Sequence, residues 1–579
     1  MRIRRNTAVS NGTAQPSLSA LLGVALAGVV TLSACGSGGS SAQNLHNVQQ
    51  LAGKRSDINP RDPATLVDGN FVWPLDAWLP NWNGNEVDGN DENDVPVYSA
   101  IEPELFTIES DGTTQPNPDY LTSAKVTSTS PQVVTLDFNP KAHWTDGSPL
   151  SWQDVKAQWQ ALNGSDPNYQ AVTNQGYVDI SSVSQGATPT EAVITFGKPF
   201  AEWQSLFTRL SPLYPKTVNA TANSFNTSLA DGPPLDSAGP FKVQSFDKNK
   251  QTIVMVRNPD WWGTKPVLSK LVFQVVARDN RADAISNNEI TWTPLFASAD
   301  LYRQAQQMPN VAIREAVAAN FNDIWFNGRP GALFSDEKLR IAVAHGIDSD
   351  AITKAAIGTI EPNPVPIGDH LYTPGTKYHQ DHTNLLSYSQ TVAKQQLDAD
   401  GWTLAPGKQY RSKNGKELDV SILDSTADDQ VGLQENKLLI GQFAAIGVQA
   451  EVNAVPDEQV SPLTDKGEWD IQSNGWLVSP FPVSRTSSHY VLNPNSMGSN
   501  YEQIGDTQIN RLYQTANTTL DPTQRAEIGN QIDTLLWQEA VDVPLFQSPG
   551  VAVVSKKVAN FGAFGFGDVN YTKIGFIKQ

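Results

Sequence analysis

The chain is poor in the residues that usually carry covalent chemistry. Its 579 residues include one cysteine, Cys35, and seven histidines. A single cysteine forms no intrachain disulfide, so stability must come from the size of the hydrophobic core. The sequence also contains neither G-x-S-x-G nor H-E-x-x-H. The sequence therefore lacks the nucleophile motif of serine hydrolases and the zinc-binding motif of zinc peptidases. We expect no enzyme, no catalytic residue, no metal site and no cofactor.

Basic residues are also scarce. Lysine and arginine number 41 against 60 acidic residues, a formal net charge of −19. Removal of Arg2, Arg4 and Arg5 with a leader segment would bring the charge to −22. An acidic surface repels phosphate backbones and anionic membranes. We therefore expect no nucleic-acid partner.

Long apolar runs are absent after residue 34, and the one run before it has the form of a secretory leader. Three arginines precede the apolar stretch 18–30, and Leu32-Ser33-Ala34-Cys35 follows. A positive start, a short apolar region and a small-residue cleavage site define a signal peptide. Because the site ends in the only thiol, we predict a lipoprotein signal peptide over 1–34 and lipidation of Cys35. The mature protein is then anchored by lipid alone on the extracytoplasmic face of the cell membrane.

The remaining chain is long enough for more than one lobe. Residues 35–56 are rich in Gly, Ser and polar residues and read as a flexible linker. Beyond it lies more sequence than one hydrophobic core usually organises, so two or more lobes are expected in a monomer. Fifteen tryptophans tilt the expectation toward ligand binding, since the indole ring is a flat surface for peptides and sugars.

Hydrophobic periodicity indicates interleaved strands and helices. Residues 133–138 alternate as a strand, and Ser151 is placed to cap a helix. Residues 253–256 and 271–276 read as buried strands. Ser335 is a candidate cap for a later helix. The class is therefore α/β, with helices and strands mixed throughout.

The C-terminal half of the sequence also contains interleaved helices and strands. Leu439, Phe443 and Ile446 form the apolar stripe of a helix that Gly447 ends before a strand. Asp521 with Pro522 marks the start of a further helix.

The sequences in and around the turns between these elements resemble those of a known family. In their order, the stretches resemble signatures of the peptide- and nickel-binding class, family 5, of ABC-transporter solute-binding proteins, including its oligopeptide- and dipeptide-binding members. The stretches are 143–151, 238–243, 257–262, 324–327, 338–348, 468–471 and 475–476. Any one alone is weak, but together they cover about residues 60 to 575. We expect most matched residues to be structural, with Arg340 in an ion pair of the second lobe.

The resemblance implies a fold. Members are bilobed clamps of the type II periplasmic-binding-protein kind, with mixed sheets flanked by helices and an extra subdomain. By this resemblance lobe I consists of 57–95, 225–318 and 547–579, and the inserted subdomain of 96–224. Lobe II is then 319–546.

The resemblance also implies where a ligand binds. Family members pair a peptide backbone with a strand edge between the lobes. The segment expected to offer that edge contains Trp476, Leu477, Val478 and Ser479, with the Trp476 ring against the ligand. A buried core tryptophan is the alternative interpretation.

One position departs from the family pattern. Peptide binders often carry an aspartate three residues after the matching tryptophan, where it pairs with the ligand's α-ammonium; this chain has Ser479. A hydroxyl does not balance a buried ammonium. Glu104 is a candidate substitute, and a solvated loop carboxylate is the alternative.

Two polar segments invite a metal interpretation. The stretch 85–94 is rich in Asp and Asn but lacks the order of EF-hand ligands, so we expect a solvated loop. His379 and His382 lack a third spaced ligand, so a metal site there is not expected.

Two functions remain open. The first is the solute-binding protein of an ABC importer, which captures a peptide or peptide-like solute and delivers it to permease subunits. The second is an envelope lipoprotein that keeps the clamp but acts as a regulatory or assembly partner in cell-wall glycolipid synthesis.

Overall fold

The computed structural model describes residues 54–91, 95–295, 298–364, 366–426, 430–493, 497 and 499–578. The predicted signal peptide, Cys35 and most of the predicted linker lie outside this part of the chain and stay predictions. Within the described residues, no helix has the length and apolar character needed to cross a membrane.

Strands occur along the whole described chain. In chain order they are β1 Leu66–Val67, β2 Phe71–Leu75, β3 Phe106–Ile108, β4 Thr114–Pro116, β5 Leu121–Thr129, β6 Gln132–Phe138, β7 Ile180–Gln185, β8 Glu191–Phe196, β9 Phe241–Asp247, β10 Thr252–Arg257, β11 Lys270–Val275, β12 Trp292–Pro294, β13 Val311–Phe326, β14 Ser412–Lys413, β15 Lys416–Glu417, β16 Asp419–Ser425, β17 Gln449–Val455, β18 Ile471–Leu477, β19 Asp542–Ser555, β20 Val558–Ala559 and β21 Gly575–Ile577.

Helices are concentrated after residue 330. In chain order they are α1 Val95–Ser99, α2 Trp152–Leu162, α3 Ala222–Thr227, α4 Arg281–Ser286, α5 Ala299–Gln307, α6 Glu337–Ala344, α7 Ser349–Ile357, α8 Gln390–Ala399, α9 Gln430–Ile446, α10 Asp457–Lys466, α11 Pro482–Tyr490, α12 Thr507–Thr518 and α13 Pro522–Gln538. Short 3-10 turns occur at Pro63–Thr65, Trp203–Phe207, Arg278–Asn280, Leu333–Ser335 and Thr383–Leu386.

Two four-stranded sheets precede the helical part. One has the order β2-β11-β10-β9, with β2 parallel to β11. The other has the order β5-β6-β8-β7 and is antiparallel throughout. In β6 buried and half-buried residues alternate, as the periodicity of 133–138 predicts. The two sheets belong to separate hydrophobic clusters.

A six-stranded sheet connects the first part of the chain with the second. Its order is β12-β19-β13-β18-β16-β17, and β13 and β19 are 16 and 14 residues long. Their pairing is interrupted between Val317 and Phe321. At that interruption Asn320 Nδ2 donates to Ser548 Oγ (3.1 Å), and Gln547 Nε2 donates to the Ala318 carbonyl (2.8 Å). Long strands that change register in the middle are suited to act as a hinge.

Helix ends follow the sequence signals with one exception. Ser151 caps α2 in a capping box with Asp154, and Asp521 caps α13. Gly447, at φ +84°, ends α9 in the left-handed conformation that glycine adopts at little steric cost. The prediction for Ser335 is wrong, because Asp336 accepts from the backbone N–H groups at the start of α6.

Arg340 does not form the predicted ion pair. Its guanidinium is buried and donates to the backbone carbonyls of Glu539, Ala540 and Phe334 at 2.8–3.1 Å. It therefore satisfies the carbonyls of Glu539 and Ala540, which follow directly after the last residue of α13 and lie beyond the hydrogen bonds of that helix.

The Asp/Asn-rich stretch is not the solvated loop that we expect from its composition. Asn85 and Glu86 are buried. Glu86 Oε2 accepts from Asn81 Nδ2 and the Asp88 N–H, both at 2.9 Å, and Asn85 Nδ2 donates to the Pro212 carbonyl. These hydrogen bonds hold Asn85 and Glu86 inside the protein, whereas Val87 and Asp88 are exposed; residues 92–94 lie outside the described part.

Candidate functional site

A pocket lies where β18 ends and α11 begins, and we call it the β18–α11 pocket. Four of the predicted ligand-binding residues, 476–479, are in its wall. The complete lining is Phe321, His370, Leu371, Trp476, Leu477, Val478, Ser479, Pro482, Arg485, Thr486, His489 and Tyr490. The lining combines aromatic surface with a few polar groups, as small-molecule sites usually do.

Trp476 is both a pocket residue and a packing residue. The register of β13 and β18 places it opposite Phe321. Its ring centroid lies 4.0 Å from that of His489 and 5.5 Å from that of Trp325. The side chain is half-buried. The two interpretations of Trp476 are thus compatible, since one part of the ring packs inward while another part reaches the pocket.

Among the described residues, neighbouring strands leave much of one edge of β18 uncovered. On one side β18 pairs with β13 over its whole length, but on the other side β16 pairs only with Ile471 and Gln472. Beyond them, side chains meet the backbone: Asn474 Oδ1 accepts from the Gly475 N–H (2.9 Å), and Arg485 Nε donates to the Leu477 carbonyl (3.2 Å). A strand edge of this kind is a template for an added peptide strand.

Ser479 organises the turn between β18 and α11. Its Oγ accepts a hydrogen bond from the Phe481 N–H at 2.9 Å. Ser479 is half-buried and lines the pocket. The hydroxyl thus has a structural partner as well as a position in the pocket wall.

Glu104 is not among the residues that line the β18–α11 pocket. Its side chain is nine-tenths buried, near the Arg209–Asp568 ion pair. Burial, with a further contribution from Asp568, raises the pKa of Glu104 to about 8, against the opposing effects of Ser99 and Arg209. The structure therefore does not bring Glu104 and Ser479 together in one pocket.

Contacts join the β5–β8 part of the chain to α11 and to Arg525 of α13 beside this pocket. Glu202 Oε2 accepts from the Ser484 N–H at 2.7 Å, and Glu202 Oε1 lies 3.7 Å from Arg525 Nε. Gln175 Nε2 donates to the Ser484 carbonyl (2.6 Å) and to Ser487 Oγ (2.9 Å). We call these four hydrogen-bonded and ionic contacts the α11 clasp.

Glu202 acts as the N-terminal cap of α11 from a distant part of the chain. The N-cap residue, Phe481, has no side-chain acceptor, so the first N–H groups of the helix lack a local partner. Burial raises the pKa of Glu202, while Arg525 and the N–H of Ser484 act to lower it. A carboxylate at a helix N-terminus is favourable when the clasp is closed.

A buried chain of imidazoles and carboxylates lies behind the pocket. His370 Nδ1 is 2.6 Å from Asp533 Oδ1, and His370 Nε2 is 2.8 Å from Asp542 Oδ1. Burial disfavours the charged ring, but Asp542 and Asp533 raise the pKa of His370 to about 10. Against the effect of burial, His370 in turn holds the pKa of Asp542 well below its usual range. His370 therefore joins α13 to β19 as a charged partner.

The two loop histidines face different partners. His379 Nε2 lies 2.8 Å from the Ile367 carbonyl oxygen, whereas His382 Nδ1 contacts Asp533. His382 thus extends the buried chain, and the pair 379/382 does not converge on a common point.

His489 lies under the Trp476 ring and is surrounded by acids. Its Nε2 is 3.3 Å from Glu502 Oε1 and 3.6 Å from Asp542 Oδ2. Burial opposes its charge, yet Glu502 and Asp542 raise the pKa of His489 to about 10.

The geometry is that of a two-lobed binding protein with a strand edge and an aromatic platform. Residues 115–498 match the family "Bacterial extracellular solute-binding proteins, family 5 Middle". The chain therefore belongs to the family 5 bacterial extracellular solute-binding proteins, which confirms the resemblance drawn from the sequence.

Relatives and solved structures agree with this assignment. The chain is 35% identical to the oligopeptide-binding protein OppA of Mycobacterium tuberculosis over 554 residues, 95% of this chain and 92% of the relative. A structure of the periplasmic EDTA-binding protein EppA superposes with a TM-score of 0.81 at 24% identity, covering 90% of this chain and 98% of EppA. The predicted fold, a type II clamp of mixed sheets and helices, is thereby confirmed.

A more distant relative carries a different name. The probable monoacyl phosphatidylinositol tetramannoside-binding protein LpqW of M. tuberculosis is 25% identical over 313 residues. The match covers 52% of this chain and 46% of LpqW.

Sequence reasoning missed the α11 clasp and the buried charged chain. Gln175 and Glu202 are more than 280 residues away from Ser484. Their neighbours in sequence show no motif, because the partners come together only when the lobes fold. Trp476, by contrast, was predicted from the resemblance of its stretch to a family signature.

Proposed function

We propose that this chain is the lipid-anchored, extracytoplasmic solute-binding protein of an ABC importer. It captures a peptide or peptide-like solute between its lobes and delivers it to the permease. The observation that carries the proposal is the uncovered edge of β18 beside Trp476, in a chain 35% identical to an oligopeptide-binding protein.

A bound peptide would extend the sheet at this edge. Its backbone would replace Asn474 Oδ1 on the Gly475 N–H and Arg485 on the Leu477 carbonyl, so both side chains act as temporary partners. Main-chain pairing gives affinity without reading sequence, whereas the pocket beside Trp476 accepts one side chain or terminus. Ser479 remains a proposed ligand contact, and a ligand either lacks a free amine or sends that amine to Glu104.

We also propose the lobe boundaries implied by the resemblance. The β2-β11-β10-β9 sheet supports lobe I as 57–95, 225–318 and 547–579. The antiparallel β5-β6-β8-β7 sheet supports 96–224 as a unit inserted in lobe I, and lobe II is 319–546. The long strands β13 and β19 would then be the hinge between the lobes.

Calorimetry with defined peptides tests the proposal. Ligand-stripped wild-type protein, Trp476→Ala and the control Trp152→Ala are titrated with a synthetic pool of pentapeptides. Trp152 is a half-buried residue of α2, outside the pocket. We expect binding by wild type and control, and about 30-fold or more weaker binding by Trp476→Ala, as for a central aromatic contact.

The glycolipid function is the competing outcome of the same experiment. The similarity to LpqW is what favours it, over about half of the chain. If wild-type protein ignores the peptide pool but binds vesicles containing mannosylated phosphatidylinositol, the importer proposal fails and the regulatory one takes its place.

A further inference from the structure

Three buried ligating side chains converge beside Trp476, and a fourth side chain, a buried acid, lies next to them. Asp323 comes from β13, His489 from α11, Asp542 from β19, and Glu502 from the segment before α12; each is at most 3% exposed. One potential ligand atom each of Asp323, His489 and Asp542 lies within 4.8 Å of the others. Glu502 Oε1 is 3.3 Å from the same His489 nitrogen, Nε2.

The histidine is held as a metal-ligating histidine usually is. Its Nδ1 lies 3.1 Å from the Ser499 carbonyl oxygen, to which it donates. That bond fixes the ring and directs Nε2 toward the carboxylates. Zinc-bound imidazoles commonly donate one ring N–H to a backbone carbonyl in this way, and a metal ion at Nε2 would displace the proton that this nitrogen carries in the charged ring.

The carboxylates retain unused oxygens. Asp323 Oδ2 accepts from Trp325 Nε1 at 2.9 Å, but Asp323 Oδ1 is buried without a hydrogen-bond partner among the described residues. Glu502 Oε2 is likewise buried without a hydrogen-bond partner among the described residues. Buried polar atoms are rarely left unpaired, so each such atom calls for a partner.

Imidazoles are the cationic partners that the structure shows for these carboxylates. His489 lies beside Glu502 and Asp542, and His370 lies beside Asp542; within the described chain no lysine or arginine forms an ion pair with any of the three carboxylates. Buried carboxylates are costly unless they are paired. A divalent ion would supply further positive charge among them.

We propose that Asp323, His489 and Asp542 bind one Zn²⁺ ion in a tetrahedral site whose fourth position Glu502 would move to fill. Zinc bonds of about 2.1 Å place tetrahedral ligand atoms about 3.4 Å apart. The distances from His489 Nε2 to Glu502 Oε1 and Asp542 Oδ2 are 3.3 and 3.6 Å. The ligand chemistry, one imidazole with carboxylates, also suits zinc.

The ion would be resident rather than transported. Of its proposed ligands, Asp323, Asp542 and Glu502 are not among the residues that line the β18–α11 pocket, and His489 contributes to both. The ion also fixes β13, β19 and α11 to one another, and these elements carry the hinge and the platform. The proposed metal site does not depend on which solute the protein binds.

Metal titration tests the site. Chelator-stripped protein is titrated with Zn²⁺ alone in competition with a chromophoric chelator, and bound zinc is counted by elemental mass spectrometry. Asp323→Asn removes one ligand while keeping the shape of the side chain. His345→Gln is the matched control, because it removes a partly exposed imidazole of the same lobe.

We expect one Zn²⁺ per wild-type chain, at least about tenfold weaker binding by Asp323→Asn, and unchanged binding by His345→Gln. Substitution by Co²⁺ in wild type should give the intense visible bands of tetrahedral coordination, a result that needs no variant to fold. Should Asp323→Asn be unfolded by circular dichroism, Glu502→Gln takes its place. Absence of a stoichiometric ion, equal affinity of the folded variant, or weak octahedral cobalt bands would overturn the proposal.

Discussion

Replacing Glu202 by alanine should open the clamp. Glu202 accepts from the Ser484 N–H at the start of α11 and lies beside Arg525. These contacts between the proposed inserted subdomain and lobe II exist only when the two are in contact. The substitution leaves each lobe with its own core. Its effect therefore falls on the closed state and hardly on the open one.

The magnitude follows from the contact. Loss of an N-cap acceptor costs about 0.5–2 kcal/mol, and a hydrogen bond to a charged group is worth about 1.5–3 kcal/mol. Burial of the carboxylate offsets part of this gain, as the raised pKa of Glu202 indicates. We therefore expect about 1–2 kcal/mol, which lowers the closed-to-open ratio about 5- to 30-fold.

Spin labels measure that ratio directly. Val178 and Leu433 are 57% and 52% exposed and lie in the proposed inserted subdomain and lobe II. In protein without Cys35, cysteines introduced at these two positions are the only thiols. Double electron–electron resonance then gives the distance distribution between the lobes, with and without peptide.

Two variants make the result interpretable. Glu109→Ala removes the same charge at an exposed position and should leave the distribution unchanged. Glu202→Gln keeps an acceptor for the Ser484 N–H and should lie between wild type and alanine. If Glu202→Ala has the wild-type distribution, the α11 clasp does not hold the lobes and the reasoning is wrong.

Three further predictions concern the anchor, the buried acid and the ligand. Cys35→Ala should abolish incorporation of labelled fatty acid and leave the precursor uncleaved; an unlabelled wild type would refute the anchor. The pKa of Glu104 is raised to about 8 in the folded protein, above its unfolded value near 4.5, so the folded state binds the proton more tightly and stability falls as pH rises from about 4.5 to 8. Glu104→Gln, which mimics the protonated acid, should therefore raise the thermal midpoint relative to wild type at pH 9 and change it little at pH 4.5, and equal shifts at both values would contradict the assignment. Ser479→Asp should favour free over N-acetylated peptides by about 1.5–3 kcal/mol in calorimetry, if this position faces the ligand amine; no gain in that preference would remove Ser479 from the amine site.

Local signals in the sequence predicted the parts that depend on local physics. Alternation marked β6, capping chemistry marked Ser151 and Asp521, and Gly447 ended α9 where its positive φ is needed. The stretch 475–479 was predicted through the resemblance of 468–471 and 475–476 to the family signature, not through local physics.

The remaining features depend on pairs that are distant in sequence. Glu202 caps a helix 282 residues later, and Asp323, His489 and Asp542 come from three elements that meet only in the folded lobe. The same limit explains Arg340, since its carbonyl partners at the end of α13 are invisible in its own neighbourhood. Composition alone was also misleading for Asn85 and Glu86, because local hydrogen bonds allow a polar loop to be buried.

Native mass spectrometry tests the central claim, capture of a peptide at the edge of β18, most directly. The protein is purified from its own cells without denaturation, as wild type and as Trp476→Ala, and the bound mass is released and sequenced. We predict peptides at close to one per wild-type chain and their loss from Trp476→Ala. Wild-type protein that carries no peptide, or peptides retained equally by the variant, would contradict the claim.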